Sequence, residues 1–185
     1  GISFDEFDPE TAGGMDRVAP GSYHVQIVKV DPEGGKKGQL VVSFEVLRGT
    51  TPGQAGKVHT EQFSTDLKKL PQKKRAALAL ASKIMTMDEA KQAKADGREF
   101  IPDWKGMEGR QVCLNLVESD DGKYTNLNWD EVWSPEDKKA QHIPLHAAML
   151  TAAKLTLPPD RPIDGIKPPP KEEKPPGKSW QQLKL

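Results

Sequence analysis

The chain has 185 residues, no formal net charge and only 35% hydrophobic residues, which fits one domain of ordinary size with tails that do not pack. Its one cysteine, Cys113, excludes an internal disulfide framework and a structural zinc site built on several thiolates. There is no apolar run of about 18 residues and no recognisable signal peptide. We therefore expect a cytoplasmic protein in a reducing compartment, without a membrane partner.

The first segment, residues 1–20, is predicted to be a flexible acidic arm. It lacks periodicity and contains two adjacent glycines, and its five carboxylates face a single cation, Arg17. Phe4 and Phe7 are its aromatic side chains. We expect the arm to compete with nucleic acid for a binding groove, so that deleting residues 1–19 tightens binding.

Three strands are predicted after the arm, in antiparallel succession. The first two alternate apolar with polar residues, and turns rich in glycine separate the strands. The third strand is VHTEQF, with His59 expected on its polar face. Val41 and Leu47 lie on the other face of the second strand, which suggests that this face is also covered. A homodimer or the C-terminal helix could cover it. The alternating apolar residues are Tyr23, Val25, Ile27, Leu40, Val42, Phe44 and Val46.

The stretch LRGTTPGQAGKVH, residues 47–59, contains a Gly-Lys pair that suggests a nucleotide-binding loop. A phosphate loop needs Gly, four residues and then Gly-Lys-Ser/Thr at the start of a helix. Here Thr51 stands at the first glycine position and Val58 at the hydroxyl position, and the residues that follow have strand periodicity. The stretch is therefore not a phosphate loop.

A helical insertion is predicted over residues 67–109. Apolar residues recur at intervals of three and four from Leu67 onward, and Pro71 is expected to divide a short first turn from the main helix. Thr86 and Glu89 form a capping box for a second, short helix. Five cations fall within eight residues and predict a positive surface, with a solvated helix face as the alternative. They are Lys68, Lys69, Lys73, Lys74 and Arg75.

Two more strands follow the insertion, joined by the turn Asp120-Asp121-Gly122. On the last strand Leu127 and Trp129 are predicted to face the core, and Tyr124 the polar side. Three strands, a helix and two strands is the order of the oligonucleotide-binding (OB) barrel. The predicted fold is therefore mainly β: a five-stranded antiparallel OB-like barrel over residues 21–133, with the helical insertion between strands three and four.

The rest of the chain is predicted to be a C-terminal helical segment and a tail. Pro144 suits the first turn of a helix, LHAAMLTAAKL, within residues 134–157. Residues 158–185 have the composition of an extended, proline-rich flexible tail. Trp180 and Leu183, near its end, are the candidate contacts for a partner protein.

The runs FDEF, PGSYHVQIVKV, LVVSFEVLRGTTPGQAGKVHTEQF and GKYTNLNWDEVW together resemble a family. It consists of small, uncharacterised phage and prophage proteins similar to single-stranded-DNA-binding proteins with the OB fold. The resemblance covers roughly residues 2–133. It implies single-stranded DNA as a partner, a role in phage DNA replication or recombination, and a replication or recombination protein as partner of the tail. Many such proteins end in an acidic tip, whereas this chain ends in KSWQQLKL.

Binding of single strands without sequence preference needs cations along a groove and aromatic rings on which bases stack. Tyr124 is the better stacking candidate because its neighbours on the strand are polar. Trp104 either stacks or pins the insertion to the barrel, and Phe44 is expected in the core. The predicted nucleic-acid-binding residues are Lys36, Lys37, Lys57, Lys68, Lys69, Lys73, Lys74, Arg75, Trp104 and Tyr124.

Other chemistry is not expected. His142 and His146 have the spacing of a helical zinc site, but Pro144 interrupts the pair and the catalytic glutamate of a metalloprotease is missing. Cys113 lies opposite the apolar face of its strand with no basic neighbour that would activate it. We predict no enzyme activity, no cofactor and no metal.

Two functions are compatible with the sequence. The first is single-stranded DNA binding without sequence preference, and the alternative is a non-enzymatic protein-interaction scaffold that displays the proline-rich tail and has no nucleic-acid affinity. Lysines at 68–75 that share a face with Lys36, Lys37 and Tyr124 would favour binding. The choice between DNA and RNA, the oligomeric state and the protein partners stay open.

Overall fold

The computed structural model describes Gly1, Ser3, Asp5 and residues 17–157. Most of the predicted acidic arm and the whole predicted tail, with Trp180 and Leu183, lie outside the described residues. The strands are β1 (Gly21–Asp31), β2 (Leu40–Gly49), β3 (Val58–Phe63), β4 (Gln111–Glu118) and β5 (Thr125–Trp133). The helices are α1 (Lys69–Ala81), α2 (Met87–Ala95) and α3 (Ala147–Ala152), with short 3-10 helices at Trp104–Met107 and Lys138–Ala140. Within the described residues, no helix has both the length and the apolar character that a membrane span requires.

The five strands form one antiparallel sheet in the order β3-β2-β1-β4-β5, which confirms the predicted mainly β, five-stranded antiparallel fold. The sheet curls into a half-barrel and its edge strands, β3 and β5, approach each other. Between them the Leu127 N–H donates to Glu61 Oε1 over 3.2 Å. A side chain thus bridges the two edges at this point.

The main core lies inside the curl. Val18 is 1% exposed in this core, and Thr125 Oγ1 donates to its carbonyl oxygen. Tyr23 is fully buried and its hydroxyl donates to the Ala19 carbonyl over 2.6 Å. Residues 17–20, which the sequence places in the arm, therefore pack against the sheet. The β2 residues predicted to share an inner face are all buried: Leu40, Val42, Phe44 and Val46.

β4 pairs with β1 only as far as Gln26, and beyond that point the loop before β4 contacts this side of β1. Val30 N–H donates to Glu108 Oε2 over 2.8 Å, while Lys105 Nζ donates to the Val30 carbonyl over 2.9 Å. The two side chains thereby hydrogen-bond the N–H and the carbonyl of Val30, which lie beyond the end of β4. The bond from the Val30 amide, and then that from Lys105, lower the pKa of the Glu108 carboxyl.

Helix α1 runs without interruption from Lys69, so the predicted division at Pro71 is wrong. Pro71 lies in the first turn, where the backbone N–H groups have no intrahelical partner and proline is tolerated. Leu67 and Leu70 are 69% and 50% exposed, and the buried side of the helix begins only near Leu78. The buried part of the predicted apolar stripe therefore begins only in the C-terminal half of α1.

The capping box predicted at the start of α2 is confirmed. Glu89 N–H donates to Thr86 Oγ1 over 3.1 Å, and Thr86 N–H donates back to Glu89 Oε1 over 2.8 Å. Such a reciprocal pair satisfies two backbone donors that the first helical turn leaves without partners. It fixes the start of α2 at the residue the sequence indicates.

A second, smaller core lies on the outer face of β1 and β4, beneath the C-terminal segment. His24 is fully buried there; its Nδ1 accepts the His146 N–H over 2.9 Å, so its Nε2 carries the hydrogen and donates to Gln111 Oε1 over 2.8 Å. Gln111 Nε2 in turn donates to the Met149 carbonyl. Polar groups therefore join this segment to the sheet. The buried members of this core are Cys113, Ala140, Ile143, Leu145 and Leu150.

Candidate nucleic-acid interface

Two lysine-bearing segments meet at one end of the sheet. The end of β1 and the β1–β2 loop, together residues 31–39, carry Lys36 and Lys37, both exposed. The segment 64–75, which leads from β3 into α1, lies beside it, because Leu40 pairs with Phe63 and Thr65 Oγ1 lies 3.5 Å from the Gly38 carbonyl oxygen. We call residues 31–39 and 64–75 the basic end. They contain seven cations and three carboxylates.

The cations at and before the start of α1 have different surroundings. Lys68 is largely exposed and its ammonium lies 4.0 Å from the Asp66 carboxylate, a surface pair of little energetic weight. Arg75 is half-buried, and its guanidinium donates to the carbonyls of Ser64 and, over 3.1 Å, of Asp66. Arg75 therefore anchors the segment before α1, whereas Lys68 and Lys69 are available to a ligand.

Tyr124 lies at the opposite end of β1 from the basic end, whereas the Lys57 carbonyl accepts the N–H of Val46, which pairs with Val25 inside β1. The β4–β5 turn that precedes Tyr124 sits beyond the pairing of Gly21 with Leu116, at the start of β1. Arg17 Nη1 approaches the carbonyl of Gly122 in that turn at 3.5 Å. Tyr124 is 63% exposed, as its polar neighbours predict. Tyr124 is therefore separated from the predicted site residues of the basic end by the length of β1.

Asp121 accounts for the conformation of the β4–β5 turn. Its Oδ1 accepts the Lys123 N–H over 3.0 Å and the Ser119 hydroxyl over 2.7 Å. These two bonds, the backbone one first, lower the pKa of the Asp121 carboxyl. A turn held in this way presents the exposed Tyr124 ring from a defined position.

Trp104 packs against the main core from its 3-10 helix, as a partly buried side chain. It also lines a small cavity of about 130 Å³ with Arg75 and Phe100. This placement corresponds to the second of the two roles considered for Trp104, that of pinning the insertion to the sheet. A packed indole of this kind offers less surface to a base than an exposed ring does.

The outer face of β2 and β3 carries no Phe, Tyr or Trp; all its residues are described, and they are Val41, Ser43, Glu45, Leu47, Val58, Thr60 and Gln62. Ser43 and Thr60 hydrogen-bond across the strands at 3.0 Å. His59, expected on this polar face, instead points inward and is buried, with its Nε2 2.6 Å from Glu61 Oε1. The inward residues of β3 are therefore His59, Glu61 and Phe63. The outer face of β2 and β3 offers hydroxyls, aliphatic groups, one carboxylate and one amide, but no aromatic ring for stacking.

Two indoles line a cleft of about 460 Å³ between α1 and β5. Trp129, predicted to be in the core, is only partly buried here, and Lys73 Nζ lies 5.8 Å from the centre of its ring. Such a cation–aromatic contact stabilises by about 0.5–1 kcal/mol at an exposed position. Trp133 lines the same cleft and meets the His142 ring edge-on at 5.9 Å.

A bulge in β5 explains why Trp129 leaves the core. Leu116 pairs with Leu127 and Leu114 with Val132, so the four residues 128–131 of β5 stand opposite Asn115 alone. Bulges of this kind redirect side chains away from the positions that strict alternation would give them. In the sequence, three polar residues surround the indole in the run Asn-Trp-Asp-Glu at 128–131, but this run alone does not indicate a bulge.

The two histidines with zinc-like spacing have separate roles. His146 caps α3, since its Nδ1 accepts the Met149 N–H at 3.3 Å, and His142 contacts the Trp133 ring. Among the described residues no group of three or more His, Cys, Asp or Glu side chains is placed to hold a metal ion.

The molecule is a small antiparallel β protein with two candidate ligand surfaces, the basic end and the cleft between α1 and β5. A comparison with protein-family models finds no match, and a comparison with curated protein sequences finds none either. The functional interpretation therefore depends on the residues themselves.

Proposed function

We propose that the protein binds single-stranded DNA without sequence preference, as a component of phage or prophage DNA replication or recombination. The fold is consistent with this, because the strand order β3-β2-β1-β4-β5 with a helix between β3 and β4 matches the connectivity of an OB barrel. In this proposal the half-barrel is an OB-like barrel, and Glu61 on β3 bridges to β5 by accepting the Leu127 N–H.

The observation that carries the proposal is the basic end. The Gly38–Thr65 contact joins two segments that are separate in sequence, so that Lys36 and Lys37 lie beside the start of α1. Phosphates bind where cations from several segments converge on an exposed surface, and such binding does not need net positive charge on the whole protein. The surface would contact the DNA backbone and carry no base preference.

Fluorescence anisotropy with a labelled oligo-dT tests the proposal directly. We expect binding at about 50 mM salt that weakens strongly at about 200 mM, with a log–log slope near −0.7 for each phosphate contacted. The Lys68→Glu/Lys69→Glu variant should lose affinity and flatten this slope. Lys91→Glu/Lys94→Glu on α2, which also reverses two exposed lysines, is the matched control and should bind nearly as the wild type does.

A second candidate, a protein-interaction scaffold, is favoured by one observation. Leu67 and Leu70 are exposed beside the lysines of the basic end, and Ile101 is 79% exposed. Exposed aliphatic groups next to cations also suit an acidic, apolar protein segment. If wild-type protein at tens of micromolar fails to bind oligo-dT even at low salt, the DNA proposal is rejected and this candidate takes its place.

A further inference from the structure

The bulge of β5 builds a ligand-sized surface that strand alternation alone would not give. Trp129 and Asp130 of the bulge line the cleft with α1. Glu131 Oε1 accepts hydrogen bonds from Asn115 Nδ2 at 2.6 Å and from Asn128 Nδ2 at 2.9 Å, which tie both ends of the bulge to one carboxylate. Trp129 is thus supported from within the sheet rather than by packing on the core. A side chain held by such bonds is positioned before a ligand arrives, which lowers the entropic cost of binding.

Helix α1 forms the opposite wall of the cleft. Ala76, Ala77 and Leu80 of α1 face the two indoles, Trp129 and Trp133. The volume of about 460 Å³ lies in the range of small-molecule sites, about 300–1,000 Å³. The two alanines opposite the indoles leave room for a planar aromatic group beside the rings.

Cations stand at both rims of this slot. Lys73 lies over the Trp129 ring on the α1 side, and Lys139, which is exposed, lines the cleft on the other side. Lys73 follows Lys69 by four residues, one turn along the same helix face. The cleft is therefore continuous with the basic end, and a backbone bound there can reach it along α1.

We propose that the cleft between α1 and β5 receives a nucleobase of the bound single strand, stacked on Trp129, with Lys73 and Lys139 on the phosphates that flank it. This inference rests on the proposed function and names its stacking site. The base displaces the Lys73 ammonium from the ring, and the freed cation meets the adjacent phosphate. Tyr124, at the far end of β1, is not part of this site.

Two carboxylates also line the cleft and set its affinity. Asp137 accepts the Lys139 N–H over 2.9 Å and so caps the 3-10 helix, but Asp130 is exposed on the bulge beside the indole. Its charge opposes a phosphate close to Trp129. Asp130→Asn should therefore tighten oligo-dT binding at low salt, and Asp120→Asn, in the distant β4–β5 turn, should not.

The test measures oligo-dT binding by anisotropy, together with quenching of tryptophan fluorescence, for four proteins at one low salt concentration. Trp129→Leu should weaken binding about 10-fold, the scale of one lost stacking contact, and should remove part of the quenching. Trp129→Phe should retain most of the affinity, and Tyr124→Ala measures any stacking at the other end of β1. Unchanged melting temperatures exclude a folding defect, and Trp129→Phe stays informative if Trp129→Leu fails to fold.

The outcomes separate the two proposals. If the wild type binds and Trp129→Leu binds equally well, the stacking site is overturned while DNA binding stands. If Tyr124→Ala alone loses affinity, stacking occurs at the other end of β1, and the cleft is again rejected. If the wild type itself does not bind, the proposed function fails and the stacking site fails with it.

Discussion

Asn115 Nδ2 lies 2.6 Å from Glu131 Oε1, and this bond between neighbouring strands fixes the one place where β5 departs from regular pairing. The same carboxylate oxygen accepts a hydrogen bond from Asn128. One acidic side chain therefore organises both ends of a four-residue bulge and, through it, the direction of Trp129.

Glu131→Ala should destabilise the protein, because it leaves the amide groups of Asn115 and Asn128 without an acceptor. Loss of a partner for partly buried donors costs about 1–3 kcal/mol in the free energy of unfolding. Urea denaturation measures the change, and Glu131→Gln, which keeps an acceptor oxygen, is the control. Equal stability of Glu131→Ala and wild type would contradict the role given to this carboxylate.

Tyr23 should make stability fall at alkaline pH. Burial, only partly offset by a hydrogen bond from Thr51, raises the pKa of this phenol above its ordinary value of 10.0. Above pH 10 the unfolded chain releases a proton that the folded chain keeps, so the free energy of unfolding decreases as the pH rises through the folded-state value. Below pH 10 the contribution is fully present.

Urea denaturation of wild type and Tyr23→Phe between about pH 9 and pH 11 tests this, since lysine titration is common to both proteins. The variant should lose about 0.5–1.5 kcal/mol near neutral pH, where the hydroxyl no longer donates to Ala19, and its pH slope should be shallower. Tyr124→Phe removes the second of the chain's two tyrosines, so absorbance titration then reports Tyr23 alone. Parallel pH slopes would refute the prediction.

His24→Leu should loosen the C-terminal segment without opening the main core. The variant leaves the His146 N–H and Gln111 Oε1 short of a partner, each at a cost of about 1–3 kcal/mol. Hydrogen exchange should accelerate for residues 143–150 and change little for β2. Lys154→Ala, an exposed change in the same segment, is the control. Uniform acceleration across the chain would show instead that both cores open together.

Deletion of residues 1–16 should tighten oligo-dT binding if the acidic arm competes for the DNA surface. The shorter deletion replaces the one to residue 19 that the sequence suggests, because Val18 is buried in the main core and Ala19 accepts from Tyr23. Competition by carboxylates weakens as salt rises, so the gain should shrink at about 200 mM. Removal of residues 158–185 serves as the comparison, and equal affinities at low salt would exclude competition.

The succession of five strands along the chain could be predicted from period-two alternation and turn residues. The capping box of α2 could be predicted because Thr86 stands three positions before Glu89. The bulge at residues 128–131 could not, since it depends on pairing with Asn115, which the sequence of β5 alone does not contain. His59 was misplaced for a similar reason. On VHTEQF both faces contain polar groups, so alternation alone does not show which face turns inward.

The candidate site was predicted in part. A run of lysines in one helix is visible in any sequence, but the meeting of residues 31–39 with 64–75 depends on the β2–β3 register. Trp129 was predicted to lie in the core because it follows Leu127 by two residues, and the prediction assumed a regular strand. Tertiary pairing, rather than residue type, decided which aromatic ring faces the lysines.

The hydrogen bonds of Glu61 also bear on aggregation through the sheet edges. Edge strands present open hydrogen-bonding groups to which a second chain can add, and inward-pointing charged residues on an edge are one way in which proteins discourage this. Glu61 engages both His59 and the Leu127 amide, so polar groups occupy the gap between β3 and β5. A Glu61→Val change would leave a β-branched, uncharged edge, and such a chain should form intermolecular sheet and precipitate at concentrations that the wild type tolerates.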